Sequence, residues 1–145
     1  MARAFATLIE LSQHRSDAAA VQMAQLMRRH EESCKKRDVL SSYRNEYQAR
    51  MDEAARRGAG GAVLENFRAF VERLDEAVAQ QQVDADFWNQ RLAEARARWQ
   101  GECRSLSAYS ALADRRTAQQ TLHELRRERR AEDEFAARCR PSFNH

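Results

Sequence analysis

Through the second half of the chain apolar residues return every seven positions: Val71, Val78, Ala85, Leu92, Trp99, Leu106 and Ala113. A companion series offset by four reads Phe67, Leu74, Gln81, Trp88 and Ala95. Two such series make an a/d stripe, the pattern that keeps one side of a helix against a partner and winds the pair into a left-handed supercoil. In the first segment the stripe is thinner. Phe5, Leu8, Leu11, Ala19, Met23, Leu26, Met27, Cys34, Leu40, Tyr43, Tyr47, Met51 and Ala54 mostly recur at three, four or seven, and a charged interval from His30 to Asp38 interrupts them. Neither glycine nor proline occurs before Gly58, so propensity still favours helix there.

Between the two segments stands the run Gly58, Ala59, Gly60, Gly61. Glycine costs about 1 kcal/mol relative to alanine inside a helix, so three in four residues end one. The pattern therefore predicts an all-α fold: a long antiparallel two-helix coiled-coil hairpin, helix 1 over about 2–57, a turn at 58–61, helix 2 over about 62–138, and a frayed tail at 139–145. Residues 1–145 read as a single domain. A hairpin turning near residue 60 places residue i roughly opposite residue 119 − i. Trp99 then falls opposite Ala18, Ala19 and Ala20, small residues suited to a bulky neighbour. Ala113 falls near Ala6, and the seven-residue series turns polar at Gln120, so helix 2 is expected to overhang helix 1 from about residue 118. Cys139, Arg140 and Pro141 mark its end, because proline disfavours the helical conformation in the residue before it.

Composition narrows the function classes. Charged residues make up 32% of the chain and alanine supplies much of its apolar share, a balance that suits a narrow seam better than a thick core. Such polarity also fits disorder, which the periodicity opposes. Cys34, Cys103 and Cys139 stand far apart without a C-x-x-C or an interleaved histidine pair, so neither a zinc site nor a redox motif is indicated. Cys34 and Cys103 read as small hydrophobes at or beside the seam. His14, His30, His123 and His145 are equally dispersed and read as surface residues. Gly61 is followed by Ala62, Val63 and Leu64, not by the lysine and hydroxyl residue a phosphate loop needs. Asp84 and Asp86 lie in a helical pattern with no cleft to raise a pKa, and read as solvated charge. No enzyme, cofactor or small-molecule substrate is expected. No stretch reaches the roughly 18 apolar residues of a spanning helix, and the N-terminal apolar run is short for a secretory signal, so a cytosolic chain that meets membranes only through protein partners is expected.

Charge is distributed unevenly. Net charge is +3, yet Arg126, Arg127, Arg129 and Arg130 cluster on the expected overhang, followed at once by Glu132, Asp133 and Glu134. A solvated face with intrahelical pairs and a docking surface for an acidic protein both fit that cluster. Nucleic acid fits less well, because a DNA-reading helix carries a denser basic run without acidic neighbours.

Near the turn, Leu40, Tyr43 and Tyr47 face Phe67, Phe70, Leu74, Ala77 and Gln81 under the hairpin pairing. Seam packing takes some of these, but a two-stranded rod has no third layer to cover so much aromatic bulk. A partner-binding patch beside the turn is the reading this supports.

The stretches LSSYRNEYQARM, NFRAFVERLDEAVAQQQ, RLAEARARWQ and RRERRAEDEFAAR, with the glycine break between the first two, resemble the flagellar FliJ family in order and over nearly the whole chain. The resemblance implies a non-enzymatic cytoplasmic component of the bacterial flagellar type III export apparatus, peripherally associated with the inner membrane at the flagellar base. It implies an antiparallel coiled coil similar to the stalk of rotary ATP synthases, binding the export ATPase ring FliI, the export gate FlhA and export chaperones. By match to the family, Leu40, Tyr43, Tyr47, Phe70, Leu74, Ala77 and Gln81 align with the gate-facing patch. Leu8, Leu11, Arg126, Arg127, Arg129, Arg130, Asp133, Glu134 and Phe135 would face the ATPase. A general coiled-coil scaffold, a secretion chaperone and a nucleic-acid-binding hairpin are the alternatives from the residues alone.

Overall fold

A computed structural model describes residues 2–139. Two helices account for nearly all of them, α1 over Ala2–Arg56 and α2 over Gly61–Arg138. They pack against each other as a helical hairpin. The described residues form two compact units: Ser16–Gly101, and the described parts of residues 1–15 and 102–145. The expected helix break at Arg140 and Pro141, and the tail that follows, lie outside the described residues.

The turn is built by its glycines. Gly58 sits at φ 78°, a left-handed conformation that costs an L side chain about 1–2 kcal/mol. Its N–H donates to the Ala55 carbonyl at 3.1 Å and the next N–H, Ala59, reaches back to Ala54 at 3.0 Å. These two bonds form a Schellman cap that satisfies the last carbonyls of α1. Two residues on, the Gly60 carbonyl accepts from Val63 and Leu64 at 3.1 and 3.2 Å, opening α2. Gly60 is thus the N-cap, and Gly61 is already helical, one residue earlier than the propensity argument places it.

Gly58 and Gly101 make a controlled contrast. A β-carbon at either would meet open space, so sterics with neighbours play no part. Only the backbone differs. Gly58→Ala is expected to destabilise the chain by about 1–2 kcal/mol through the positive φ. Gly101→Ala, inside α2, is expected to stabilise it by about 0.4–1 kcal/mol. Urea titration followed by circular dichroism reads both, and shifts of the same sign would contradict this account of the turn.

In the Ser16–Gly101 unit the buried apolar residues are few and small: Ala19, Val71, Ala85, Leu92 and Ala95. Ala85 and Ala95 let the helices approach closely, while Val71 and Leu92 contribute about 1.5–3 kcal/mol each by leaving water. The less exposed positions of α2 here include Leu64, Phe67, Val71, Leu74, Val78, Gln81, Ala85, Trp88, Leu92, Ala95 and Trp99, alternating three and four as the heptad predicts.

The seam of α1 keeps Ala19, Met23, Leu26, Leu40, Tyr47, Met51 and Ala54 of the apolar pattern but adds polar residues the pattern passes over. In this unit its less exposed positions include Ser16, Ala19, Met23, Leu26, His30, Ser33, Arg37, Leu40, Arg44, Tyr47, Met51 and Ala54, again spaced by three and four. Met27 and Tyr43, expected on the seam, are exposed. The charged interval does not interrupt the pairing, because polar residues occupy the seam and find partners across it. Arg44 Nε donates to Asp75 Oδ1 at 2.8 Å and Arg37 Nη1 to Gln82 Oε1 at 3.1 Å, the pairs expected for a hairpin turning near residue 60.

In the other unit Phe5, Ile9 and Ser12 of α1 are the less exposed residues, Ser12 being buried. Leu8 and Leu11 are exposed, contrary to the apolar reading. Arg116 covers the Phe5 ring at 5.4 Å. That is where the pairing stops: from Thr117 onward every described residue of α2 is exposed. The expected overhang is present and starts within a residue or so of the predicted point.

Candidate partner-binding surfaces

Beside the turn, the Ser16–Gly101 unit brings together the residues expected to form a patch. Tyr47, half-buried, lies with its ring centroid 4.4 Å from that of Phe70, tilted by 56°. Arg50 stacks on Tyr47 at 5.0 Å and is itself held by Glu46 at 2.8 Å. Phe70 and Tyr43 remain exposed at 38% and 51%, large values for aromatic rings, so this cluster is packed underneath and open on top. A groove of about 350 Å³ lined by Tyr47, Val63, Asn66, Phe67 and Phe70 runs over it. A second, of about 390 Å³, is lined by Lys35, Lys36, Val39, Leu40 and Gln81. Leu74 and Ala77 are half-buried between α1 and α2 positions of the same unit.

Val63 and Val39, both about half exposed, extend the apolar surface and were not singled out from sequence. Each stands one step beside a seam position, Leu64 and Leu40, so the signal was an apolar residue adjacent to the stripe and not on it.

Gln81 occupies a heptad position that would ordinarily be apolar. Its amide donates to Ser33 Oγ at 2.8 Å and to the Ser33 carbonyl at 3.3 Å, and Ser33 Oγ donates to Asp84 Oδ2 at 2.7 Å. Ser33 is buried, and this network satisfies its hydroxyl. Among the described residues no buried side-chain nitrogen or oxygen lacks a partner. Asp84 is therefore tied into the seam and not simply solvated. Asp86 is likewise engaged, accepting from Gln82 Nε2 at 2.9 Å. Polar residues at core heptad positions fix pairing at some cost in stability, which is the physical role of this layer. The neighbouring Arg37 guanidinium is held above its ordinary pKa, first by its hydrogen bond to Asp38.

His30 departs from a surface reading. It is half-buried at a seam position, with Nε2 3.4 Å from Cys34 Sγ. Cys34 and Cys103 are half-buried, as small hydrophobes beside a seam would be. Among the described residues no group of three His, Cys, Asp or Glu side chains is placed to hold a metal.

A second surface lies in the unit formed by residues 2–15 and 102–139. Leu8 and Leu11 are exposed at 38% and 46%. On α2, Arg126, Arg127, Arg129, Arg130, Asp133, Glu134 and Phe135 are all exposed, Phe135 at 69%. None of the four arginines has a carboxylate in salt-bridge range among the described residues. The lacing of this face by intrahelical pairs, one reading of the cluster, is thus not what the structure shows. No described helix is long and apolar enough to cross a membrane.

A two-helix coiled coil with an aromatic groove, an exposed helix end carrying an arginine cluster, and no metal-binding cluster among its described residues defines an interaction module. Comparison with known proteins sharpens this. The family model described as the flagellar FliJ protein matches residues 1–140, and the chain belongs to the FliJ family, components of type III flagellar export. The flagellar FliJ protein of Salmonella typhi is 28% identical over 136 residues, covering 94% of this chain and 92% of that protein. That of Escherichia coli (strain K12) is 26% identical with the same coverage.

Proposed function

We propose that the chain binds the flagellar export ATPase ring, promotes its activity, and links it to the membrane export gate and to export chaperones. The observation that carries the ATPase half is the run of exposed residues from Thr117 to Arg138, which includes four arginines with no carboxylate in salt-bridge range among the described residues. A bare helix of this kind offers a complete circumference to a ring that surrounds it. Leu8 and Leu11, exposed beside a seam that does not use them, add apolar surface in the same unit. On this reading the gate-facing surface is the Tyr47 and Phe70 groove with Leu40, Tyr43, Leu74 and Ala77.

The two surfaces divide the work by chemistry. The aromatic groove supplies rigid anchors that desolvate against an apolar partner. The cluster Arg126, Arg127, Arg129 and Arg130 supplies local positive charge that orients an acidic one. Gln81, whose amide nitrogen is held by Ser33, positions the floor of the gate surface. The chain performs no chemistry itself; hydrolysis belongs to the ATPase. It acts in the cytoplasm and reaches the inner membrane at the flagellar base through the gate.

Co-purification tests the proposal. Tagged chain is expected to retain the export ATPase, and truncation before Thr117 is expected to release it while leaving helicity in the remaining hairpin. Retention of the ATPase by the truncated chain would move the binding surface elsewhere.

A further inference from the structure

The exposed end of α2 carries an apolar stripe that the seam does not explain. Leu122 and Leu125 are 49% and 57% exposed. With Arg115, Ala118, Arg129 and Glu132 they recur at spacings of three and four, a second heptad frame on the same helix. At roughly 100° per residue this frame lies on the opposite side of α2 from the seam residues Leu106, Ala113 and Arg116. It borders a groove lined by Leu122, Leu125, Arg126, Glu128, Arg129 and Glu132.

We infer that this stripe pairs antiparallel with the same stripe of a second copy of the chain. In an antiparallel pair whose two-fold axis passes between His123 and Glu124, Leu122 of each copy meets Leu125 of the other. Four leucines then close the centre. One layer outward, Ala118 leaves room for the stem of Arg129, and beyond it Arg115 meets Glu132 twice. The charges decide the direction. A parallel, in-register pair would set Arg115 on Arg115, Arg129 on Arg129 and Glu132 on Glu132, like charges at successive core layers, which destabilise such pairs. The antiparallel arrangement converts these repulsions into two ion pairs and satisfies the isologous symmetry of a two-fold dimer.

The segment overlaps the one proposed to face the ATPase, so self-pairing and ATPase binding are mutually exclusive. The test uses the chain alone, and its failure leaves the ATPase reading standing.

Sedimentation equilibrium of the full chain, up to about 1 mM, is expected to show a reversible monomer and dimer. Leu122→Asp with Leu125→Asp is expected to leave monomer only with unchanged circular dichroism, because neither leucine is covered in the monomer. Arg115→Glu and Glu132→Arg are each expected to weaken the dimer about tenfold, since two symmetry-related pairs turn repulsive. Together they are expected to restore it. A monomer mass across the whole range would overturn the inference, as would failure of the double charge exchange to restore what each single exchange removes. Loss of ATPase binding in the leucine variant, with the wild-type chain monomeric throughout, would overturn it in favour of a docking stripe for the ATPase.

Discussion

Tyr47→Ala combined with Phe70→Ala is expected to weaken binding to the export gate about a hundredfold or more while the chain stays helical. The two rings pack against each other with centroids 4.4 Å apart and planes tilted by 56°, so removing both clears the wall of the groove. Aromatic anchors at interface centres cost about 2 kcal/mol or more each when truncated. Even with incomplete additivity, affinity should fall about a hundredfold or more. The fold tolerates the change because Phe70 is exposed and neither residue belongs to the buried apolar set of Ala19, Val71, Ala85, Leu92 and Ala95. Loss of the ring pair costs about 0.5–1.5 kcal/mol of stability beyond the buried area. Titration calorimetry against the gate's cytoplasmic domain, with circular dichroism on the same samples, separates the two effects. Unchanged gate affinity would remove the patch assignment.

Reversal of Arg126, Arg127, Arg129 and Arg130 to glutamate is expected to have the other large effect, on the ATPase. The four arginines lack acidic partners among the described residues and lie outside the seam, so their reversal leaves the α1 and α2 pairing intact. It changes the local charge by eight units on a helix that carries Glu132, Asp133 and Glu134 already. Electrostatic steering changes association rates by about 10- to 1,000-fold, and a reversal of this size should reach the upper part of that range. Wild-type binding should weaken as salt rises, because exposed charges are screened within about 8–10 Å at physiological ionic strength. Surface plasmon resonance at several salt concentrations reads both. A salt-independent association rate, unaltered by the reversal, would return the cluster to ordinary solvated charge.

How far the sequence foretells this molecule depends on what fills the seam. In α2 the heptad positions hold Val71, Val78, Ala85 and Leu92, and the apolar repeat alone places them correctly. The end of pairing is equally readable, since the repeat loses its apolar residues after Ala113 and exposure becomes continuous at Thr117. In α1 the seam positions hold Ser12, Ser16, His30, Ser33, Arg37 and Arg44. A search for apolar residues passes over these and selects Leu8, Leu11, Met27 and Tyr43, which stand exposed beside the stripe. Two physical reasons permit a polar seam. Serine is small enough for close helix approach, and arginine lays its aliphatic stem along the seam while its head finds Gln82 or Asp75 at the edge.

The same error of frame bears on function. Leu8 and Leu11, read both as seam residues and as ATPase-facing, are exposed and so available to a partner, and Tyr43 is likewise exposed. Gln81 moves the other way: its amide is committed to Ser33. The family match over residues 1–140 identified the export apparatus, while the exposures decide which of the matched residues can touch anything.

Phosphate release by the purified export ATPase, measured with and without the full chain, tests the central claim most directly. The account predicts that the wild-type chain raises the rate and that the chain truncated before Thr117 does not. Equal stimulation by both, or none by either while the two proteins co-purify, would contradict it.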